Sequence, residues 1–277
     1  MSGAAALRAE PTGPGELDRF ERLLNDRLPF TFIRFSDGEI EILRNRKLVI
    51  GGGTTEFRGR RFSNKFSDID QKRFDPDSSK DVRRDLLSSA IFSEPGFFKG
   101  IPTRHNNAIA DREFMLRLNG GYSRQMTFSD LFLNSNFLRA RMHFFPTLVA
   151  SFKDLIVVGN WRCTLSGYLG KGRLVEIPDD FFSSYRETLD LVQRTLEGAP
   201  KRALVLSSAS SLSNVLGYRL RTIRPDITFL DVGTVLNDLM GLPMGTRAYH
   251  KLLDTRTLFK KFAAWRYRIR REYQLQW

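Results

Sequence analysis

The chain has 277 residues, 41% of them hydrophobic and 27% charged, a balance ordinary for a soluble globular protein large enough to bury a substantial core. Its net charge of +13 is not ordinary and points to an anionic partner such as nucleotide phosphate, acidic lipid or nucleic acid. A single cysteine, Cys163, excludes an intramolecular disulfide and a cysteine zinc cluster. No window approaches the ~18 uncharged apolar residues of a membrane span, and the first 15 residues lack the apolar run of an export signal. The expected location is the cytoplasm, with a peripheral position on the inner face of the plasma membrane as an option.

In chain order, residues 1–15 hold Pro11, Gly13, Pro14 and Gly15 and read as a disordered lead-in. Residues 16–250 read as a single α/β domain, and 251–277 as a basic amphipathic C-terminal helix. Leu17, Phe20, Leu23 and Leu24 recur at helical spacing and predict a helix over 16–26. An apolar, β-rich run predicts a strand over 30–35, followed at once by a helix over 38–46. The triple glycine after Leu48 lacks the Gly-Lys-Ser/Thr of a phosphate loop and reads as a flexible turn. Residues 56–83 are polar and predict an exposed, mobile segment. Their Asp68, Asp70, Asp75 and Asp77 lack EF-hand spacing and the closing Glu, so they read as a solvated loop.

Further helices are expected over 81–92, in the aromatic-rich stretch 128–149, over 181–196 and over 212–223. Short apolar strands are expected over 97–101, 154–159, 173–178, 202–206 and 227–233. Strands alternating with helices predict a Rossmann-like, mainly parallel sheet flanked by helices. Such sheets bind ligands beyond the carboxyl ends of their strands. Four post-strand loops therefore matter: Ser36-Asp37-Gly38-Glu39, Gly159-Asn160-Trp161-Arg162, the serines from Ser207 to Ser211, and Asp231-Val232-Gly233-Thr234.

The first loop sets two carboxylates around a glycine, an oxygen cluster suited to a hard cation, because Mg²⁺ takes one or two carboxylates together with substrate phosphates. Asp-Gly is equally a common turn dipeptide. Arg162 could clamp a diphosphate with its guanidinium fork or lie on the surface. The serine run at a helix start offers hydroxyls, free N–H groups and a favourable dipole to an anion, or simply caps the helix. Asp231 could hold a ribose hydroxyl or organise a turn. His105, His143 and His250 form no ligand-spaced cluster, and no Gly-x-Ser-x-Gly elbow occurs.

The stretch Arg34-Phe35-Ser36-Asp37-Gly38-Glu39 resembles the Arg-Phe/Tyr-Gly-Asp-Gly-Glu motif of bacterial glycosyltransferases of the GT-D fold. The region from Arg202 to Asn237 is similar to that family's second signature: strand, small-residue loop, helix, and a strand ending in Asp-Ile/Val-Gly. The resemblance covers roughly residues 28–242 and is weakest in the middle. It implies that Asp37 and Glu39 are the catalytic pair and ligands of Mn²⁺ or Mg²⁺. It further implies that Arg34, Ser36, Gly38, Asn160, Arg162, Ser208, Ser210, Asp231 and Thr234 line a nucleoside diphosphate sugar site. Ser36 stands where the family has glycine, and Thr234 where it often has histidine, so no histidine role transfers. The implied reaction moves a sugar to a glycan or lipid-linked acceptor in surface polysaccharide assembly. Glu41 and Asp231 are candidates for a base.

In the tail, Leu258, Phe262, Trp265, Ile269 and Tyr273 fall on one side of a helix rich in Lys and Arg that runs to Trp277. Such a helix suits an anionic membrane surface or docks on its own domain. Nucleic acid is disfavoured for want of a recognition module. The competing reading is a non-catalytic nucleotide- or nucleic-acid-binding α/β protein.

Overall fold

A computed structural model describes residues 15–51, 54–63, 71–103 and 108–243. The C-terminal basic helix expected over 251–277, His105, His250, and Asp68 and Asp70 lie outside these residues, as does all of the N-terminal lead-in but Gly15. The elements run α1 (Gly15–Asn25), β1 (Thr31–Arg34), α2 (Asp37–Leu43), β2 (Leu48–Ile50), β3 (Thr54–Phe57), β4 (Arg60–Ser63), β5 (Lys72–Phe74) and α3 (Lys80–Ile91). They continue with β6 (Phe97–Ile101), α4 (Ile109–Leu118), β7 (Met126–Phe128), α5 (Phe137–Arg139), α6 (Phe145–Ala150), β8 (Leu155–Asn160) and β9 (Arg173–Ile177). Last come α7 (Tyr185–Glu197), β10 (Leu204–Ser207), α8 (Ser211–Ile223) and β11 (Thr228–Asp231). A π-helical turn, Ala140–Phe144, joins α5 to α6.

Seven strands form one sheet in the order β7-β6-β1-β11-β10-β8-β9, with every pairing parallel. This is the expected Rossmann-like sheet. Strands β1, β6, β8, β10 and β11 are buried on both faces, as parallel strands covered by helices are, while the edge strand β9 exposes Arg173 and Glu176. Alternation sorts their side chains. Ile33, Phe97, Ile156, Val158, Val205 and Phe229 enter a core with α2, α3, α7 and α8. Phe32, Phe98, Leu155, Val157, Leu204, Leu206 and Leu230 enter a second core with α1, α5 and α6. The second core is phenylalanine-rich: Phe20 meets Phe30, Phe32 and Phe98 edge to face at 5.1–5.3 Å between ring centres, a geometry that satisfies the ring quadrupoles. In the first core, α8 lies close on the sheet because residue 217 is glycine. A Cβ there would come 2.5 Å from Ile33 Cγ2 and 3.0 Å from the Phe229 ring.

Residues 56–83 correct the expectation of an exposed mobile loop. Its described residues and the preceding run hold a four-stranded antiparallel sheet, β4-β3-β2-β5, inserted between α2 and α3. Its strands are only 3–4 residues long and rich in Arg and Lys, so apolar alternation is faint. Leu48 and Phe74 nevertheless bury fully into the first core. Asp75 there caps a turn, accepting the N–H groups of Asp77 and Ser78 at 2.9 and 3.3 Å. The insertion is tied down at two places beside the carboxyl ends of the main strands. Arg58 pairs with the buried Asp111, which also takes Arg44 at 2.6 Å. The backbone and charge of Arg73 act on the Asp180 carboxyl beyond β9.

Candidate active site

Parallel pairing puts all main-strand carboxyl ends on one rim, and β1, β11, β10 and β8 are consecutive in the sheet. The four loops singled out in the sequence thus sit side by side, spanning about 14 Å at ~4.8 Å per strand. Between β1 and β11 the strand order switches. After β1 the chain enters the first core through Ile40 and Ile42, and after β11 it enters the second through Val235, Leu236 and Met240. Segments leaving adjacent strands to opposite faces open a crevice, the usual place for a ligand in such sheets.

Arg34 closes β1 at this crevice. Its Nη2 donates to Asp231 Oδ1 at the end of β11 (3.2 Å), and its Nη1 to the Ser129 carbonyl (3.4 Å). Its Nε is buried with no partner among the described residues. Asp231 Oδ1 also accepts the Gly233 N–H at 2.9 Å. Burial raises the Asp231 carboxyl above its ordinary pKa; Arg34 opposes that rise and Glu39 adds to it. Gly233 is required by this packing. Its φ is +50°, and a Cβ would fall on Arg34 Nη2 and 2.6 Å from Cζ.

The Asp37-x-Glu39 pair divides. Asp37 is exposed at the first turn of α2, its Oδ1 accepting only the Gly38 N–H at 3.1 Å. Glu39 is buried, and both oxygens are engaged: Oε2 accepts the Ser36 N–H at 3.1 Å and Oε1 the Ser210 hydroxyl at 3.2 Å. Ser36-x-x-Glu39 is a capping-box spacing, and that signal alone could have revealed the first bond from sequence. Each Glu39 oxygen therefore has one lone pair taken and one left for a cation. Gly38 is open, a Cβ there meeting only Leu48 Cδ2 at 3.7 Å.

The serine loop joins the same network. Ser208 Oγ donates to the Gly233 carbonyl at 2.8 Å, Ser207 and Ser213 share a hydrogen bond at 2.8 Å, and Asn214 Nδ2 holds the Arg34 carbonyl at 2.7 Å. Ser210 takes a φ of +50° as the residue before α8, a conformation that L side chains occupy at a cost. Ser211 Oγ, in the first turn of that 13-residue helix, is buried without a partner among the described residues. Arg34, Ser36, Glu39, Ser208, Ser210, Asp231 and Gly233 thus make one unit of two hydrogen-bonded chains, Arg34–Asp231–Gly233–Ser208 and Ser36–Glu39–Ser210, joined through the serine loop. Thr234 is exposed beside it. Glu41 is fully buried and lies near Arg46 and Arg44 at 3.5 and 3.9 Å rather than within this unit.

Asn160 and Arg162 form a separate group at the β8 end. Asp179 Oδ1 accepts both Asn160 Nδ2 (2.7 Å) and Arg162 Nη1 (2.6 Å), so the fork expected to grip a diphosphate is already paired. Ser129, Asn214 and Asp179 were not anticipated as site residues, and Gly233 was anticipated only as part of the loop after β11. Cys163 is buried and its thiol is pushed up to about 11 by that burial, which leaves it inert.

The sequence matches no protein-family model and no curated protein. The fold does match solved structures. One is described as "A New Glycosyltransferase (DUF1792) from Streptococcus sanguinis", at 15% identity and a TM-score of 0.52 over 85% of this chain and 86% of that one. This chain has a glycosyltransferase fold. A second structure, of a domain described as having "a distinct glycosyltransferase fold", agrees at 16% identity and a TM-score of 0.50 over 82% of this chain and 80% of that one. The seven-stranded sheet and its helical layers therefore belong to the architecture that the Arg34–Glu39 motif resembles.

Among the described residues no three His, Cys, Asp or Glu group to hold a metal ion. The donor set nevertheless suits a cation that completes its shell from phosphate and water. Asp37 presents an exposed carboxylate at the crevice, and Asp37, Glu39 and Asp231 outnumber Arg34 there.

Proposed function

We propose that this protein is a glycosyltransferase that takes its sugar from a nucleoside diphosphate sugar, with Mg²⁺ or Mn²⁺ as cofactor. The observation that carries the reading is the Arg34–Asp231–Glu39 unit at the switch point of a sheet with a glycosyltransferase fold. Asp37 would hold the cation. When bound, the cation supplies Lewis-acid neutralisation of charge on the departing diphosphate.

The chain's own residues do the rest. Arg34 is preorganised by Asp231 and the Ser129 carbonyl, and it brings a fixed positive charge to the crevice without reorganising during the reaction. The amino end of α8, with Ser208 and Ser210 beside it, offers a positive dipole end to the phosphates, although the N–H groups of Ser208, Ala209, Leu212 and Ser213 already have acceptors within the protein. Glu39 acts by position: it locks α2 to the serine loop, so that Asp37 and the α8 terminus keep a fixed separation. Gly38 leaves room for the donor to approach the backbone. The acceptor is a glycan or a lipid-linked saccharide, and the product enters surface polysaccharide. Among the described residues no helix is long and apolar enough to cross a membrane.

A screen of nucleoside diphosphate sugars for Mn²⁺-dependent hydrolysis and thermal stabilisation tests this reading. At least one sugar nucleotide should be bound and turned over. Asp37→Ala should abolish turnover while stability stays within about 0.5 kcal/mol, as befits an exposed side chain. Full activity and metal binding in Asp37→Ala sink the proposal. Salt-sensitive nucleic-acid binding with no sugar transfer would favour the non-catalytic alternative.

A further inference from the structure

We propose that Trp161 is the stacking platform for the nucleobase of the donor, a role that rests on the glycosyltransferase reading above. Trp161 follows the last residue of β8 on the same rim as the crevice, and it is 53% exposed. An exposed aromatic alone means little. This one is held in place.

Its backbone N–H donates to the Ile177 carbonyl at 3.0 Å. The Arg162 guanidinium lies over its ring, 4.6 Å from the centroid. Arg162 is fixed in turn, with its N–H on Asn160 Oδ1 at 3.0 Å and its Nη1 on Asp179 Oδ1. Asn160 is itself buried and bonded to that same Asp179 oxygen. Three side chains from two strand ends therefore orient one indole, whose rigidity lowers the ordering cost of a ligand stacked on it.

Location and charge choose the ligand. Along the rim the order is Asp37 and Arg34 at β1, Asp231 at β11, the α8 terminus at β10, then Trp161 at β8. A donor whose diphosphate occupies the first three positions has its sugar and its nucleoside left to place, on opposite sides of the diphosphate; the indole at β8 gives the nucleoside side a flat surface for the base. Arg162 gives its Nη1 to Asp179 and its guanidinium face to the indole, so it is committed first to holding the ring. This end of the rim presents a flat π-surface backed by a cation, which suits a planar heterocycle of any identity.

The test titrates the full chain with UDP, GDP and ADP, and with inorganic pyrophosphate as the base-free probe, in the presence of Mn²⁺. The variants are Trp161→Ala and Trp161→Phe. Trp161→Ala should weaken the bound nucleoside diphosphate by roughly tenfold or more, Trp161→Phe should recover most of that loss, and pyrophosphate affinity should be equal in all three proteins. Unchanged nucleotide affinity in Trp161→Ala overturns the platform while leaving the donor reading intact. A matching loss of pyrophosphate affinity, or a rise confined to the KM for acceptor, overturns it as well. If the wild-type protein binds none of these nucleotides and no sugar nucleotide, the functional reading itself falls, and the platform with it.

Discussion

The two ends of the rim are built on opposite principles. At β1 and β11 all the charges but the exposed Asp37 are largely buried and committed to a partner: Arg34 to Asp231, Asp231 to the Gly233 N–H, and Glu39 to Ser36 and Ser210. At β8 the charged pair, Arg162 and Asp179, is partly open to solvent and supports an exposed indole. Buried ion pairs are costly to break because the surviving charge is stranded, whereas exposed pairs contribute little. One end is therefore suited to holding a fixed electrostatic field, and the other to recognising a flat surface that comes and goes.

Substitutions separate the two ends by size of effect. Arg34→Ala should cost the most, on the order of 3–5 kcal/mol in chemical denaturation, since it leaves Asp231 buried and unpaired. The double variant Arg34→Ala/Asp231→Ala should be less damaging than the sum of the single changes. Gly233→Ala should follow at roughly 2–4 kcal/mol, combining a left-handed backbone with overpacking against the guanidinium, and turnover should fall with it. At the other end Arg162→Ala should shift stability by less than about 0.5 kcal/mol. A loss there comparable to that of Arg34→Ala would erase the distinction.

Lys99, in the middle of β6, gives the comparison a pH axis. It is buried, bonded to the Ala90 carbonyl at 3.0 Å and to the Asn119 side chain, and desolvation pulls it down to about 8. The folded state therefore releases this proton near pH 8, while the unfolded chain holds it to about 10.5. Below pH 8 the cost of the buried charge is fully present; between 8 and 10.5 the unfolded state binds more protons, and stability rises with pH. Measured against Lys99→Met, the wild type should gain up to about 3 kcal/mol across that window. A flat difference between the two proteins would remove Lys99 as a buried cation.

The sequence announced the rim more clearly than the contacts across it. Parallel strands read as continuous apolar runs, so β6 could be bounded at both ends and β8, β9, β10 and β11 to within a few residues. Once those strands are parallel, their loops must share an edge. The small sheet was illegible because short, arginine-rich strands carry no alternation, and its burial rests on a few residues such as Leu48 and Phe74. Helix α4 was missed for a related reason: its buried face includes Asp111 and Arg112. Within the site, the motif exposed Asp37 and Glu39 but not their different fates. The bonds of Glu39 to Ser210 and of Arg34 to Asp231 join residues 171 and 197 positions apart, and no local pattern encodes such pairs.

That separation has a consequence for how the molecule is made. Strand β11 is the last among the described residues, yet it lies between β1 and β10 and joins the trio β7-β6-β1 to the trio β10-β8-β9. Until residue 231 has been synthesised, a nascent chain holds two half-sheets with open inner edges. Non-local parallel pairing is slow, and uncovered edges invite aggregation. A polypeptide ending before Thr228 should therefore engage chaperones or aggregate, although it contains the whole Asp-x-Glu motif. The crevice comes into being only with the final insertion, so no shorter nascent chain has a complete site.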